Sequence, residues 1–381
     1  MDFWAFYILV YTLSAFGYLW YRYIFILAYN PKIEGDFKGK ISIILPFYNE
    51  KTKLLVDAIK SINSCEGNKE IIIIDDGSTS KEGYQTLLKL KDKFSFQLIR
   101  YEGNKGKRHA QTVGFSKAKG DIIVTVDSDT ILDKKALVYL THPFSDPKVG
   151  ATTGQLRIIN KNKNFLTKLI AARYWNAFNF ERKSQSVLGA IVCCTGPLSA
   201  YRALFIKKIS KEYENQQFMG KKCTYGDDRH LTTLILKDNY KILYVENAVG
   251  YTWAMEEWKN FIKQQIRWKK SWLRETILIS KFMFKKSKTL SFEILISTFI
   301  TVFSLFARIG LIVTIILNPS YIFFAFLVLT IMGILHSLYI LFHKPEYYFF
   351  SIAYSFVHVF LVYWTLIVAL LTFKNRGWGT R

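Results

Sequence analysis

The sequence predicts an α/β nucleotide-binding domain joined to an α-helical membrane region. Four apolar runs, at 3–29, 291–317, 321–342 and 347–373, are each long enough to span a hydrocarbon core of about 30 Å. Between the first run and the other three lie roughly 260 residues of mixed composition, the size of one large domain. Within that stretch, short continuous apolar runs alternate with helical patterns, the signature of a parallel sheet.

Composition supports the membrane component. The chain is 50% hydrophobic and 17% aromatic, more than one soluble core needs. The first run is long, rich in aromatics and without an A-x-A-like cleavage site, so it reads as an uncleaved anchor and not as a signal peptide. The net charge of +23 crowds the flanks of the apolar runs, in "KFMFKKSK", "FKNRGWGTR", Lys38 and Lys40. That is the pattern of cytoplasmic flanks facing anionic lipid. No nucleic-acid module accompanies the charge, so no nucleic-acid partner is expected. Cys65, Cys193, Cys194 and Cys223 show no metal-ligand spacing and suit a reducing cytosolic domain without disulfides.

The elements follow in order. "KISIILPFYNE" (40–50), "KEIIIIDDGS" (69–78) and "DIIVTVDSDT" (121–130) are apolar runs ending in polar or turn residues, as in parallel strands buried on both faces. The helical patterns "KLLVDAIKSI" and "KGKRHAQTVGFSKA" lie between them, which implies right-handed βαβ units. In such sheets the ligand lies beyond the carboxyl ends of the strands, where Asn49, Glu50, Asp75, Asp76, Asp127 and Asp129 fall. Two later helices, 165–183 and 256–280, mix aromatic and basic residues, with Trp258, Phe261, Gln265, Trp268 and Trp272 on one face. They suit the membrane interface; packing in a soluble core is the alternative. The resulting division is a transmembrane helix at 1–30, a catalytic domain at 31–255, interfacial helices at 256–290, a membrane region at 291–373 and a cytosolic tail at 374–381.

The polar groups suggest chemistry. Asp127 and Asp129, at alternate positions, project to one face, so both can approach one hard divalent cation that bridges to substrate phosphates. An Asp-rich turn is the plainer alternative. Asp75 and Asp76 in "DDGS" are placed to hold the base and ribose of a nucleotide. "GNKGKRHA" sets Lys105, Lys107 and Arg108 at a helix start, which is either a diphosphate site or a solvated charge run. In "YGDDRHLTTLILK", Asp227 or Asp228 either caps a helix beginning near His230 or takes the proton of an acceptor hydroxyl. His109 and His230 read as polar helix residues. "QQIRW" brings Gln264, Arg267 and Trp268 into one turn, with Arg267 suited to a leaving diphosphate and Trp268 offering a flat face to a sugar ring.

The order "ILPFYNE", "DDGS", "VDSDT", "CCTGPLSAYR", "GDDRHL", "QQIRW" and "WGTR" resembles the membrane-embedded, processive family-2 glycosyltransferases, most closely hyaluronan synthases, with chitin-oligosaccharide synthases as near relatives. The resemblance runs from about residue 40 to the end. It implies a GT-A-like domain that transfers sugars from UDP donors with inversion. The donors would be UDP-N-acetylglucosamine and UDP-glucuronic acid for hyaluronan, the favoured product, or the first alone for chitin. It implies that Asp75 and Asp76 contact the uridine and that Asp127 and Asp129 hold Mg²⁺ or Mn²⁺ on the diphosphate. Asp228, beside Asp227, is the implied base. Gln264, Arg267 and Trp268 border acceptor and diphosphate, and Cys194, Thr195, Gly196 and Pro197 line the acceptor site. Pro46, Lys105, Lys107 and Arg108 join the substrate-binding set, and Trp378 and Arg381 belong to a tail expected to fold back on the site. The implied setting is the plasma membrane, crossed several times, with a cytosolic catalytic domain and with lipids and the growing polysaccharide as partners.

Two rival classes are weaker. A catalytically silent sugar-nucleotide-binding protein would not need Asp129, Asp228 and Arg267 together, and single-sugar transferases commonly lack "QxxRW". Many hyaluronan synthases carry two apolar runs before the domain, and this chain carries one. The tail and the domain should share one side, so an even number of the last three runs must cross. Arg308 lies inside the first of them, at a cost of about 2.5–3.5 kcal/mol unless it faces protein or water. The last run is broken by "SFVHVF" and is a candidate for re-entry.

Overall fold

A computed structural model describes residues 3–30, 35–189, 191–286 and 288–373. Trp378 and Arg381, and with them the expected docking of the tail, lie outside the described residues. After α1 (Phe3–Leu27) the chain forms β1 (Ile41–Phe47), α2 (Thr52–Ser64), β2 (Lys69–Asp75), α3 (Glu82–Leu90), β3 (Gln97–Arg100), α4 (Lys107–Lys117) and β4 (Ile122–Thr125), of which α3 and β3 are not among the expected elements. The second half adds β5 (Ile131–Leu132), α5 (Ala136–Thr141), β6 (Val149–Ile158), α6 (Phe165–Asn176), α7 (Lys183–Val187), β7 (Ser199–Arg202) and α8 (Ala203–Glu214). A hairpin of β8 (Gln217–Phe218) and β9 (Lys221–Lys222) precedes α9 (Asp227–Lys237), β10 (Lys241–Thr252) and α10 (Trp258–Ser280). The apolar helices are α11 (Lys288–Leu317), α12 (Tyr321–His343), α13 (Tyr348–Val357) and α14 (Thr365–Leu371).

Eight strands form one sheet in the order β3-β2-β1-β4-β7-β6-β10-β5. β3, β2, β1 and β4 are parallel, whereas β7 runs antiparallel to both β4 and β6. Ile43, Ile44, Leu45, Ile73, Ile74, Ile123 and Val124 are completely buried, which is why their runs carry no alternation. The mixed half has no comparable local signal. β6 is interrupted by Gly150, Gly154 and threonines, and β7 has four residues whose place is fixed by long-range pairing. α4 lies close on the parallel half: a Cβ on Gly114 would come 2.5 Å from Ile44 Cγ2 and 3.0 Å from Ile74 Cδ1. This close seat delivers the start of α4 to the carboxyl ends of the strands.

The two amphipathic segments are helical as expected. Asn164 caps α6 by accepting from Thr167 N at 2.9 Å, and a π-helical stretch at Ala177–Arg182 carries the helix into α7. The single aromatic face expected on α10 is divided. Phe261 and Gln265 are buried while Trp258 and Trp268 are each 41% exposed, because the buried stripe turns instead through Ser271, Arg274 and Glu275 toward α9. α6 packs on α13 and α10 on α14, so both stand between the sheet and the last apolar run.

α11, α12 and 345–371 are long and apolar enough to cross a membrane, and side chains such as Ile316, Phe323 and Phe342 are exposed along them. So much uncovered apolar surface suits a membrane. The last run differs from the others, since a third of its apolar window is buried in protein against 17% for α11 and α12. A π-helical turn at His358–Val362 interrupts it, beginning inside "SFVHVF" and ending two residues beyond it. Arg308 faces protein, its guanidinium 3.5 Å from the Tyr363 ring centroid.

The α4 seat gives a test. Gly114→Val inserts atoms where Ile44 and Ile74 already touch and should destabilise the domain by about 1–3 kcal/mol, read as a lowered thermal midpoint in detergent. An unchanged midpoint would mean that α4 does not pack this closely.

Candidate active site

The turn after β4 puts Asp127 and Asp129 on the wall of a cavity of about 2310 Å³. α4 begins behind Gly106, whose φ of +94° suits glycine, and its first residue is Lys107. Lys107 Nζ lies 2.6 Å from Asp127 Oδ1 and 3.2 Å from Asp227 Oδ2, joining the end of β4 to the start of α9. A Cβ on Gly196 would lie 3.5 Å from Lys107 Nζ, 3.7 Å from Asp127 Oδ2 and 3.8 Å from Asp228 Cβ. The "TGP" segment therefore meets the same cluster.

α9 starts at Asp227, earlier than His230, and neither aspartate caps it through its side chain; the cap residue is Gly226. Gly226 has φ +72° and a Cβ there would fall 2.1 Å from Ser271 Oγ, so the turn requires glycine. Asp228 Oδ1 accepts from Arg229 N at 2.7 Å.

The charges are unevenly balanced. Burial works against the Lys107 ammonium, yet Asp127 and Asp227 hold its pKa above that of an ordinary lysine. Burial also opposes the Asp227 charge, but Lys107 and Arg108 keep that carboxyl below its usual range. Asp228 moves the other way, raised by burial and then by Asp227. Asp129 is pushed up to about 6 by burial, then by the Asp127 and Glu50 carboxylates. It is the carboxylate in this cluster left most in want of a cation.

Most of the expected residues share the cavity: Pro46, Asp76, Lys105, Lys107, Asp127, Asp129, Thr195, Gly196, Pro197, Asp227, Asp228, Gln264, Arg267 and Trp268 all line it. Three do not. Asp75 is fully buried, accepts from Ser78 N at 2.9 Å and lies 3.6 Å from Arg100 Nε, so it supports the "DDGS" turn from behind. Arg108 is spent on backbone, donating to Tyr213 O, Tyr225 O and Gly226 O at 3.1–3.2 Å, and so is not at the surface where a diphosphate would bind. Cys194 is buried and its amide donates to Thr232 Oγ1 at 2.8 Å; its neighbour Cys193 takes the place on the wall. Asp76 reaches the wall, but its oxygens accept from Tyr101 OH at 2.6 Å, Lys105 N and Gly106 N at 3.0 Å, and Asn104 Nδ2 at 3.1 Å. It organises the loop that leads into α4.

From these carboxylates the cavity continues past Gln264, Arg267 and Trp268 and in among the apolar helices, where Arg308, His336, Tyr354 and His358 line it. Arg173, Arg182 and Arg229 line the passage between. Arg173 is paired with Glu181 at 2.8 Å, while Arg182 lies over the Phe178 ring at 4.9 Å. Sequence reasoning noted the basic character of 165–183 but not that it faces a cavity. His336 sits in an unbroken apolar run and gave no signal beyond its own polarity.

The sheet is of the GT-A-like class, with the carboxylate cluster at its strand ends. Residues 42–210 match the family description "Glycosyl transferase family 2". A hyaluronan synthase of Streptococcus pyogenes is 32% identical over 97% of this chain and 91% of its own length. An N-acetylglucosaminyltransferase of Azorhizobium caulinodans is 37% identical over 67% of this chain and 65% of its own, and one of Mesorhizobium japonicum is 36% identical over 64% and 58%. The chain thus spans about two thirds or less of those two relatives. A mannosyltransferase of Pyrobaculum calidifontis, solved with GDP-Man and Mn²⁺, superposes with a TM-score of 0.68 over 97% of this chain and 98% of that one, at 16% identity. The chain belongs to glycosyltransferase family 2.

The crowding of Asp129 has a measurable consequence. A carboxyl whose folded pKa of about 6 exceeds its ordinary 3.8 favours the folded state when protonated, so its ionisation costs stability as pH rises through 6. Asp129→Asn should therefore stabilise the metal-free protein at pH 7.5 by on the order of 3 kcal/mol, read as a raised thermal midpoint, and the gain should fade toward pH 4. An equal effect at both pH values would contradict the assignment.

Proposed function

We propose that this chain is a processive, inverting glycosyltransferase of the hyaluronan synthase type, drawing alternately on UDP-N-acetylglucosamine and UDP-glucuronic acid and passing the polymer among its own apolar helices. The observation that carries this is the cavity itself: it leads from the carboxylate cluster past Arg182 and Arg229 to the membrane helices, where Arg308 lines it. A uronate-bearing glycan supplies carboxylates to such a wall, and a neutral glycan supplies none. The relative that matches over almost the whole chain is a hyaluronan synthase, which supports the same reading.

Asp127 and Asp129 are hard oxygen donors, and the crowding of Asp129 fits a divalent cation. Among the described residues no group of three or more His, Cys, Asp or Glu converges, so Mg²⁺ or Mn²⁺ here would complete its shell with diphosphate oxygens and water. When bound, such an ion neutralises charge on the departing diphosphate. Lys105 and Lys107 flank the same phosphates. Asp228, made more basic by burial and by Asp227, takes the proton from the acceptor hydroxyl as that oxygen bonds to the anomeric carbon and the bond to UDP breaks. Positioned proton transfer of this kind contributes roughly a hundred- to ten-thousand-fold. Thr195, Gly196 and Pro197 face the acceptor, Trp268 offers a sugar ring its flat side, and Arg267 meets the diphosphate.

The catalytic domain is assigned to the cytosol at the plasma membrane. α11 and α12 cross and return, and the last run, enclosed by α6 and α10 and broken by its π-helical turn, is the one that does not cross. This brings the tail back to the cytosolic side. A tag placed after Arg381 should be protected from protease in intact cells; cleavage from outside would overturn this topology.

A second reading has support in the higher identity, over a shorter stretch, to N-acetylglucosaminyltransferases: synthesis of chitin or its oligosaccharides from UDP-N-acetylglucosamine alone. Purified protein with Mg²⁺ or Mn²⁺ should make high-molecular-weight polymer only when both donors are supplied, and hyaluronidase should degrade it. Polymer from the single donor, cut by chitinase, would select the second reading. For Asp228→Asn, UDP affinity should stay near normal while transfer is lost. Parallel loss of both would reduce Asp228 to a structural role.

A further inference from the structure

Beneath the cavity a buried polar cluster ties α9 to α10. Arg274 Nη2 donates to Tyr225 O at 2.8 Å, and its Nε donates to Glu275 Oε1 at 2.8 Å. Gln216 Nε2 donates to Glu275 Oε1 at 2.8 Å, and His230 Nδ1 lies 3.1 Å from Glu275 Oε2. All four side chains belong to residues at most 5% exposed. Burial opposes the charge of Glu275, but the contact with His230 and the charge of Arg274 hold its carboxyl at about 2. From the opposite side Arg108 of α4 reaches Tyr225 O at 3.1 Å and Gly226 O at 3.2 Å. Two guanidinium groups from two helices therefore hold the backbone just before Asp227 and Asp228. Both helices also present residues to the cavity, Lys107 from α4 and Gln264, Arg267 and Trp268 from α10.

Stability alone does not account for this arrangement. A buried ion pair is often no better than an apolar core of the same volume, and the neighbouring core is apolar. What the cluster supplies is orientation. Gly226 is already pressed against Ser271, so the position of α10 is transmitted to the turn without slack.

We propose that Arg274, with Glu275 as its counter-charge and Arg108 opposite, is a positioning residue for transfer: the clamp fixes the Gly226–Asp228 turn so that Asp228 faces the acceptor hydroxyl in register with α4 and α10. This rests on the reading of Asp228 as the base. Of the donor's proposed partners, Asp127, Asp129 and Lys105 lie on other elements, whereas Lys107 and Arg267 lie on α4 and α10 themselves, so loosening the turn should slow transfer far more than it weakens nucleotide binding.

The test uses the full chain in detergent, with UDP affinity, UDP-release rate at saturating donors and the pH dependence of that rate measured for each variant. Arg274→Lys and Glu275→Gln should each lower kcat by about a hundredfold, the usual cost of a misplacement near 1 Å. UDP affinity should stay within about threefold of wild type, and the acid limb of the kcat–pH profile should move because Asp228 no longer holds its place beside Asp227. Arg108→Lys combined with Arg274→Lys should deviate from additivity, since both hold Tyr225 O. If Arg274→Lys does not fold, the near-isosteric Glu275→Gln carries the test. Loss of kcat in step with UDP binding, with an unmoved acid limb, would overturn the clamp and leave a structural cluster. Transfer surviving in Asp228→Asn would overturn the base reading instead, whatever the clamp variants do.

Discussion

The geometry of the site depends on one ammonium group. Four carboxylates lie around Lys107 where β4 ends and α9 begins, and without a cation they would repel one another and resist ionisation. Lys107 meets Asp127 at 2.6 Å and Asp227 at 3.2 Å, and almost everything around it serves to bring it there. α4 must press on β1 and β2 at Gly114; its approach loop must be folded by Asp76 and opened by glycines. The loop packs so closely that a Cβ on Gly77 would lie 2.4 Å from Gly103 C. The partial positive charge of the helix start adds to the lysine's own. One lysine nevertheless leaves the account unbalanced: Asp127 and Asp227 are satisfied, while Asp129 and Asp228 are left with raised pKa values. Those two are assigned the functions that need a reactive carboxylate, holding a cation and accepting a proton.

α10 transmits this arrangement to the membrane region. Its cavity side carries Gln264, Arg267 and Trp268, its buried side carries Ser271, Arg274 and Glu275 against α9, and it packs along α14. A helix with a polar buried stripe is poor in hydrophobic stabilisation, yet its buried Arg274 and Glu275 are paired. That exchanges stability for a defined rotation about the helix axis, because a slip of one residue would leave a guanidinium or a carboxylate uncompensated at several kcal/mol.

The parallel half of the sheet, the apolar helices and the identity of the cavity residues were legible in the sequence because each has a local cause. A strand buried on both faces must be apolar throughout; a helix in hydrocarbon must be long and apolar; and the carboxyl ends of parallel strands are where a ligand lies. The mixed half was not legible, since β7 is four residues long and is defined by its neighbours. The errors have a common origin too. Asp75, Arg108 and Cys194 sit in the expected motifs, but each motif is a turn in which one residue faces the ligand and the next supports it from behind, and spacing does not say which. Asp75 and Asp76 differ by one position and by which side of the sheet end they occupy. In the same way the tryptophans of α10 fit a helical face, but a buried stripe led by Gln265, Ser271 and Arg274 defeats any assignment that follows hydrophobicity alone.

The distribution of charge along the cavity bears on how a polymer would leave it. At the sheet end the aspartates share the wall with Lys105, Lys107 and Arg229, whereas Arg308 lines it inside α11, where an unshielded charge would cost about 2.5–3.5 kcal/mol. Facing the cavity, with its guanidinium over the Tyr363 ring, offsets part of that cost through water and the aromatic face. A nucleotide diphosphate needs a cation and a lysine, and both can be accommodated only at the acidic end. A glycan bearing uronate groups has the opposite preference, repelled where the aspartates gather and attracted where the arginines begin. On the proposed function, one gradient of fixed charge would thus hold the donor at the sheet and draw the product away from it. Each added sugar would then be followed by a displacement toward the membrane helices, without a separate driving step.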